Sequence, residues 1–270
     1  MKITFLGGGN MAIALVGGLI QRGFSPQDLA VIEILPEARE RLTAQFPIHV
    51  FADASAEALA CDVLLLAVKP QQMREALSGL PVGEKRPLIV SIAAGLRVDD
   101  LARWMQGGRR IVRAMPNTPA LIGNGMTGLY ADPSVSQEDR QRAEQILGTV
   151  GETVWVDRED LIDSVTAISG SGPAYVFLFL EAMQEAGRAL GLSPEATHQL
   201  AIQTVLGAGQ LARQSSESVD VLRQRVTSKG GTTAAALDKM DALGVKAGLV
   251  AGMQAAAARS RELGDELGRD

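Results

Sequence analysis

Residues 2–12 read KITFLGGGNMA. A short apolar run ends in three glycines, and a helical pattern over 10–22 starts directly after them. Within the turn the spacing is Gly7-x-Gly9-x-x-Ala12. At a strand-to-helix junction that spacing has a mechanical reading. Gly7 permits the tight turn, Gly9 lets backbone approach a pyrophosphate, and Ala12 lets the helix pack close on the strand. The helix start adds free N–H groups and partial positive charge, which suit phosphates. A tight turn with no ligand is the alternative reading of the same glycines.

Outward from this turn, the chain alternates apolar runs with helical patterns. The runs are 2–6, 29–33 (LAVIE), 48–51 (IHVF), 62–68 (DVLLLAV), 87–92 (PLIVSI) and 109–114 (RRIVRA). They show little polar alternation, as strands covered on both faces of a parallel sheet do. Helices are expected over 10–22, 36–46, 70–79 and 97–106, and this alternation predicts a doubly wound α/β domain. Two further strands, 126–131 and 153–156, are expected around a helix at 136–149. Beyond about residue 162 the strand signal stops, and the patterns are helical to the end. Ser193-Pro194-Glu195 opens one of those helices, with Ser193 as cap, Pro194 in the first turn and Glu195 beside the positive helix end. The expected division is therefore 1–162, an α/β domain, and 163–270, an all-helical domain. Segment 174–183 (AYVFLFLEAM) is apolar nearly all round and needs neighbours on every side, so the helical domain is expected to self-associate.

Composition sets the outer limits. With 26 basic and 31 acidic residues in 270, the net charge is −5, against the basic face that nucleic-acid binding requires. One cysteine, Cys61, excludes an internal disulfide, and with only His49 and His198 a Cys/His zinc site is excluded too. A reducing cytoplasm follows as the expected compartment. No export signal is read at the N-terminus, and the apolar run PAYVFLFLEAM is broken by Glu181 short of the roughly 18–20 residues of a membrane span. No metal and no membrane partner are expected.

In open α/β sheets, ligands lie at the carboxyl ends of the strands. Glu33 ends the second run, where an acid hydrogen-bonds an adenosine ribose, while Arg39 and Arg41 follow and suit a 2′-phosphate. NAD and NADP both remain open on these residues. Lys69, before Pro70, faces a phosphate or ribose, or solvent. Ser91 to Gly95 are small and leave room for a flat ring. Asn117, between two prolines, offers an amide to a carboxamide or substrate, or stands in a rigid structural turn. In the helical half, Ser169-Gly170-Ser171-Gly172-Pro173 reads as a polar loop, for tight packing or an anion. Thr227-Ser228-Lys229-Gly230-Gly231-Thr232-Thr233 reads as a backbone nest for a carboxylate, with Thr232 and Thr233 as helix caps in the plainer reading. His49 and His198 read as structural, and no carboxylate pair has catalytic spacing. So few acid–base residues suit a reaction whose chemistry a cofactor carries.

Taken together, GGGNMA (7–12), AVKP (67–70), SIAAG (91–95), RAMPNTPA (113–120), SGSGPAYVF (169–177) and TSKGGTT (227–233), in that order over nearly the whole chain, resemble the pyrroline-5-carboxylate reductase family. The resemblance implies a Rossmann-type sheet followed by a helical dimerisation domain, in a homodimer or a dimer-based ring, typically a decamer. It implies reduction of 1-pyrroline-5-carboxylate to L-proline by NADPH or NADH, the last step of proline synthesis. By position, Gly7, Gly8, Gly9, Asn10 and Met11 hold the pyrophosphate. Ala67, Val68, Lys69 and Pro70, with Ala93, Ala94 and Gly95, flank the ribose and nicotinamide. Ser228, Gly230, Gly231, Thr232 and Thr233 hold the substrate carboxylate, from the partner subunit, and Thr233 hydrogen-bonds the ring nitrogen. Two positions depart from the family pattern. Glu33 stands where relatives often have small or polar residues, and Lys229 where some have proline. Two rival readings are a β-hydroxyacid or 6-phosphogluconate type dehydrogenase and a non-catalytic dinucleotide sensor. The first relies on a lysine after the Gly-rich entry, which SGSGPAYVFLFLEAM lacks. The second leaves the 227–233 nest without a purpose.

Overall fold

The computed structural model describes residues 1–78, 80 and 87–269. From the N-terminus the elements are β1 (Ile3–Leu6), α1 (Asn10–Gln21), β2 (Leu29–Ile32), α2 (Pro36–Gln45), β3 (His49–Phe51), β4 (Val63–Leu66), α3 (Pro70–Ser78), β5 (Leu88–Ser91) and α4 (Val98–Trp104). Then come β6 (Ile111–Met115), β7 (Gly125–Ala131), α5 (Gln137–Leu147) and β8 (Gly151–Trp155). Every expected strand and helix of this half is present; residue 79, the last of the expected 70–79 helix, lies outside the described residues.

The eight strands form one sheet in the order β3-β2-β1-β4-β5-β6-β7-β8. Its first six strands run parallel, and β7 pairs antiparallel with β6 and parallel with β8. Both faces are covered. Alternate residues of one strand feed opposite cores: Val63 and Leu65 join Phe5, Leu15 and Leu19, whereas Leu64 and Leu66 join Met73, Leu77 and Leu101. Burial on two faces is why these strands carry no polar alternation. Each fully buried leucine contributes about 1.5–3 kcal/mol.

After β8 come α6 (Leu161–Val165), α7 (Gly172–Ala189), α8 (Pro194–Gln214), α9 (Val219–Arg225), α10 (Thr232–Ala242) and α11 (Val245–Leu267). Ser193 caps α8 as expected, accepting from the Ala196 N–H at 3.2 Å. The chain forms two compact units, Met1–Ser171 together with the chain from Ala256 onward, and Gly172–Ala255. The division expected at 162/163 differs from them in two ways: residues 163–171 stay with the first unit, and so do the last turns of α11. There Ser260 donates to Asp163 at 2.6 Å, Arg97 pairs with Asp265 at 2.6 Å, and Gly264 lies against the Gly95 carbonyl.

The apolar run 173–183 lies within a longer helical stretch. A turn of π-helix joins α6 to α7, so that Leu161–Ala189 is one helical run of 29 residues. By length and composition alone that run is apolar enough to cross a membrane. Only 11% of its most apolar stretch is buried within the chain, and Phe177, Leu178 and Phe179 are 58%, 62% and 51% exposed.

Candidate active site

The glycine turn is built around a backbone that only glycine adopts without strain. Gly7 has φ +102°, and a Cβ there would stand 2.9 Å from the backbone carbon and oxygen of Ala67. Its N–H donates to the Ile32 carbonyl at 2.8 Å, which anchors the turn to β2. Gly9 is the N-cap of α1 and has no side chain to close the helix, and no acidic residue occupies the first turn. A Cβ at Gly9 would meet nothing within 4 Å, so the space before the helix is open. Ala12 is fully buried against the strand. Uncapped N–H groups facing open space fit the pyrophosphate of a dinucleotide.

At the end of β2 the Glu33 carboxylate is held at both oxygens. The Gly8 N–H donates to Oε2 at 2.9 Å and the Leu35 N–H to Oε1 at 2.9 Å. Arg39 reaches the same strand end, where its Nη1 donates to the carbonyls of Glu33 at 2.9 Å and Ile34 at 2.8 Å. Arg41 is exposed on α2.

The next strand ends line up beside the turn. The Ala67 N–H donates to the Leu6 carbonyl at 2.8 Å, and the Ile92 N–H to the Leu66 carbonyl at 3.2 Å. Val68 touches the Gly7 turn, Lys69 is exposed, and Pro70 opens α3. Ala93 and Gly95 are buried, with Ala94 half-buried between them; Gly95 takes φ +79° with Leu267 behind it. The first unit therefore gathers Gly7 to Met11, Glu33, Ala67 to Pro70 and Ala93 to Gly95 along one rim of the sheet.

Both polar atoms of the Asn117 amide are engaged within the chain. Its Nδ2 donates to the Ser169 carbonyl at 3.0 Å, and its Oδ1 accepts from the Met126 N–H at 2.8 Å. It ties the end of β6 to the start of β7 and to the helical run. Of the segment expected as a polar loop, 169–173, Ser169 and Gly170 end that π-helical turn, Ser171 is a bend, and Gly172 and Pro173 open α7. The Ser171 N–H bonds the Thr166 carbonyl at 2.8 Å, so it is not a free helix start. Gly170 is small for a packing reason, since a Cβ there would sit 2.7 Å from the Met115 methyl. A buried arginine beside this region escaped sequence reasoning. Arg113, 6% exposed at the side chain, donates to Glu159 at 2.8 Å, and the same Glu159 oxygen accepts from the Val98 N–H at 2.7 Å. An arginine within an otherwise apolar strand was the available signal.

In the second unit, the 227–233 segment folds as a turn at a helix start. Gly230 has φ +71°, and the Gly231 N–H donates to the Ser228 carbonyl at 3.0 Å. Gly231 is the N-cap of α10, so Thr232 and Thr233 are its first two residues and not caps. No side chain closes this helix start and no acid lies in its first turn. Ser228, Lys229, Gly230 and Thr232 are exposed, and Thr233 is half-buried. Such a turn presents N–H groups and hydroxyls to a carboxylate.

The remaining candidates are structural. His49 stacks near Phe51, and His198 meets Gln184 at 3.3 Å. Burial pushes the Cys61 thiol up from its ordinary value, as suits a packing residue. Among the described residues no group of His, Cys, Asp and Glu has the arrangement to hold a metal.

Comparison with known proteins bears on the whole chain. Residues 159–263 match the family described as pyrroline-5-carboxylate reductase dimerisation, and residues 2–95 the family described as NADP oxidoreductase, coenzyme F420-dependent. A pyrroline-5-carboxylate reductase of Pseudomonas aeruginosa is 44% identical, covering 99% of this chain and 98% of that protein. One from Haemophilus influenzae is 41% identical, with 97% of each covered. Among solved structures, a pyrroline-5-carboxylate reductase from Coxiella burnetii superposes with a TM-score of 0.92 at 40% identity, covering 97% of this chain and 98% of that one. The Plasmodium falciparum pyrroline carboxylate reductase, solved with NADP bound, superposes with a TM-score of 0.86 at 29% identity and 98% coverage of both.

Proposed function

The chain belongs to the pyrroline-5-carboxylate reductase family, and from that premise we propose how its residues divide the work. It is an oxidoreductase that reduces 1-pyrroline-5-carboxylate to L-proline at the expense of NADPH or NADH. When bound, the nicotinamide dinucleotide supplies the hydride.

Everything else falls to binding and orientation. Gly7, Gly8, Gly9, Asn10 and Met11 form the pyrophosphate cradle, with the uncapped start of α1 as donor. Ala67 to Pro70 and Ala93 to Gly95 border the ribose and nicotinamide, and the buried backing of Gly95 keeps that wall from yielding. Ser228, Gly230, Gly231, Thr232 and Thr233 hold the substrate carboxylate with main-chain N–H groups and hydroxyls. The Thr233 hydroxyl accepts from the ring N–H of that imine and so fixes which face of the ring is presented. Alignment of two bound rings supplies the rate enhancement that positioning gives. No strong general acid is needed when the substrate is bound protonated or takes its proton through water. Asn117 is kept out of substrate contact in this reading; its two hydrogen bonds support a clamp.

The match of residues 159–263 to a dimerisation family and the uncovered apolar face of α7 support a homo-oligomer. In the fuller proposal, the 228–233 turn acting on one dinucleotide comes from the partner subunit, in a dimer or dimer-based ring. A cytoplasmic enzyme is part of the same proposal, supported by a single, unpaired cysteine, Cys61.

The observation that carries the reading is the pair of uncapped, acid-free helix starts, at Gly9 and Gly231. The test is direct. The purified chain is expected to oxidise NADH or NADPH in the presence of 1-pyrroline-5-carboxylate with stoichiometric formation of proline. Nucleotide binding without any oxidation by the imine would overturn the substrate assignment.

A further inference from the structure

The adenosine end of the nucleotide site carries an acid and a base side by side, and the geometry decides between them. Glu33 is not a free strand-end side chain. Both of its oxygens are engaged by backbone N–H groups, one from Gly8 inside the phosphate-binding turn and one from Leu35. It lies directly against the glycine turn, where a Cβ on Gly8 would stand 3.2 Å from Glu33 Oε2. Arg39, the cation nearest by contact, spends its Nη1 on the carbonyls of Glu33 and Ile34. Beyond the carboxylate, Ile34 and Leu35 present apolar side chains that are 71% and 60% exposed, surface suited to the flat face of an adenine.

From this we propose that Glu33, fixed by the phosphate turn itself, makes this enzyme bind NADH in preference to NADPH. The carboxylate retains lone pairs for the ribose hydroxyls of NADH. A 2′-phosphate brings a dianion to the same place. The carboxylate cannot swing aside without surrendering the Gly8 and Leu35 N–H groups, and losing the Gly8 bond loosens the turn that holds the pyrophosphate. Selection against the phosphate thus comes from a like charge held in place. The proposal rests on the dinucleotide reading of the glycine turn.

The test is calorimetric titration of the intact oligomer with NADH and NADPH, and with ADP-ribose and its 2′-phosphate, which lack the reacting ring. Wild type is expected to bind the nucleotides without the 2′-phosphate at least about tenfold tighter. Glu33→Gln keeps the shape and removes the charge, and is expected to bring the two classes within about threefold, chiefly by tightening the phosphorylated ones. Arg39→Ala is expected to change NADPH affinity by less than about threefold, since this guanidinium serves the backbone. Equal or tighter binding of NADPH by wild type would overturn the proposal alone. So would an unchanged ratio in the Gln variant, or a collapse of NADPH affinity in the Ala variant. Failure to bind either class would instead overturn the dinucleotide reading, and the proposal with it.

Discussion

Arg113 and Glu159 are joined by an ion pair of 2.8 Å that links the middle of β6 to the start of the helical run 161–189. The arginine is 6% exposed and the glutamate 26%. The same glutamate oxygen closes α4 by accepting from Val98 at 2.7 Å. One carboxylate therefore neutralises a buried cation and caps a helix, at two points far apart in the chain.

Truncation of that carboxylate leaves a charge stranded in the sheet. Glu159→Ala is expected to cost about 3 kcal/mol in denaturant unfolding, toward the low end for broken buried pairs because the glutamate is partly exposed. Glu159→Gln keeps an acceptor for both donors and is expected to cost less than half as much. Equal losses in the two variants would show that the charge alone sets the cost, and that the retained acceptor contributes nothing.

Gly7 and Gly9 separate fold from function within one turn. Gly7→Ala forces a side chain into φ +102° and against the Ala67 backbone, so it is expected to destabilise the protein by about 1–3 kcal/mol and to weaken nucleotide binding. Gly9 has an extended backbone and free space around it. Gly9→Ala is expected to unfold at the same temperature as wild type, while nucleotide affinity falls at least about tenfold because the methyl occupies the place of the pyrophosphate. Thermal melts beside fluorescence titrations of NADH make the comparison.

How far the sequence could be read depends on the range of the interaction. The strands and the glycine turn were legible because their signals are local: uninterrupted apolar runs for a sheet covered on both faces, and a fixed glycine spacing at a strand end. Strand direction was not. MTGLYA has the composition of its parallel neighbours, yet β7 runs antiparallel to β6. The short 116–124 link held the clue, since a parallel crossover requires about a dozen residues or more. The partners of Asn117 were not legible either, since one of them, Ser169, is 52 residues away. The small residues of 169–172 looked like a loop for a related reason. Gly170 answers to the Met115 methyl, a contact that no local pattern reveals. Asn117→Ala is accordingly expected to cost about 1–3 kcal/mol, from the unpaired Ser169 carbonyl and Met126 N–H, as read by chemical denaturation.

Acid stability is expected to report on Asp139. Hydrogen bonding from the Arg110 guanidinium at 2.6 Å, against an opposing cost of burial, holds this carboxyl below the ordinary aspartate value of 3.8. A depressed folded value means that the aspartate binds a proton more readily when unfolded. Its contribution is then complete above about pH 4 and is lost as the pH falls through the lower, folded value. The melting temperature of wild type is expected to fall between about pH 4 and pH 2, and that of Asp139→Asn to fall less steeply over the same range. Parallel curves for the two proteins would remove Asp139 from the account.

Thr233 tests the substrate half of the site. It is the second residue of α10 and half-buried, and no side chain, its own included, caps this helix start. Its hydroxyl is therefore not needed to start the helix, and Thr233→Ala is expected to leave the melting temperature within about 2 °C of wild type. In the proposed role the hydroxyl orients the ring nitrogen while hydride is transferred, an interaction worth about 1.4 kcal/mol or more at the transition state. Turnover is then expected to fall about tenfold or further. Affinity for NADH is expected to stay the same, because the nucleotide cradle lies on other residues. Thr233→Ser, which keeps the hydroxyl, is expected to recover most of the rate. Were the Ala variant to turn over at the wild-type rate, the ring nitrogen would have to be oriented by the Thr232 or Ser228 hydroxyl, and the same pair of substitutions at those positions would locate it.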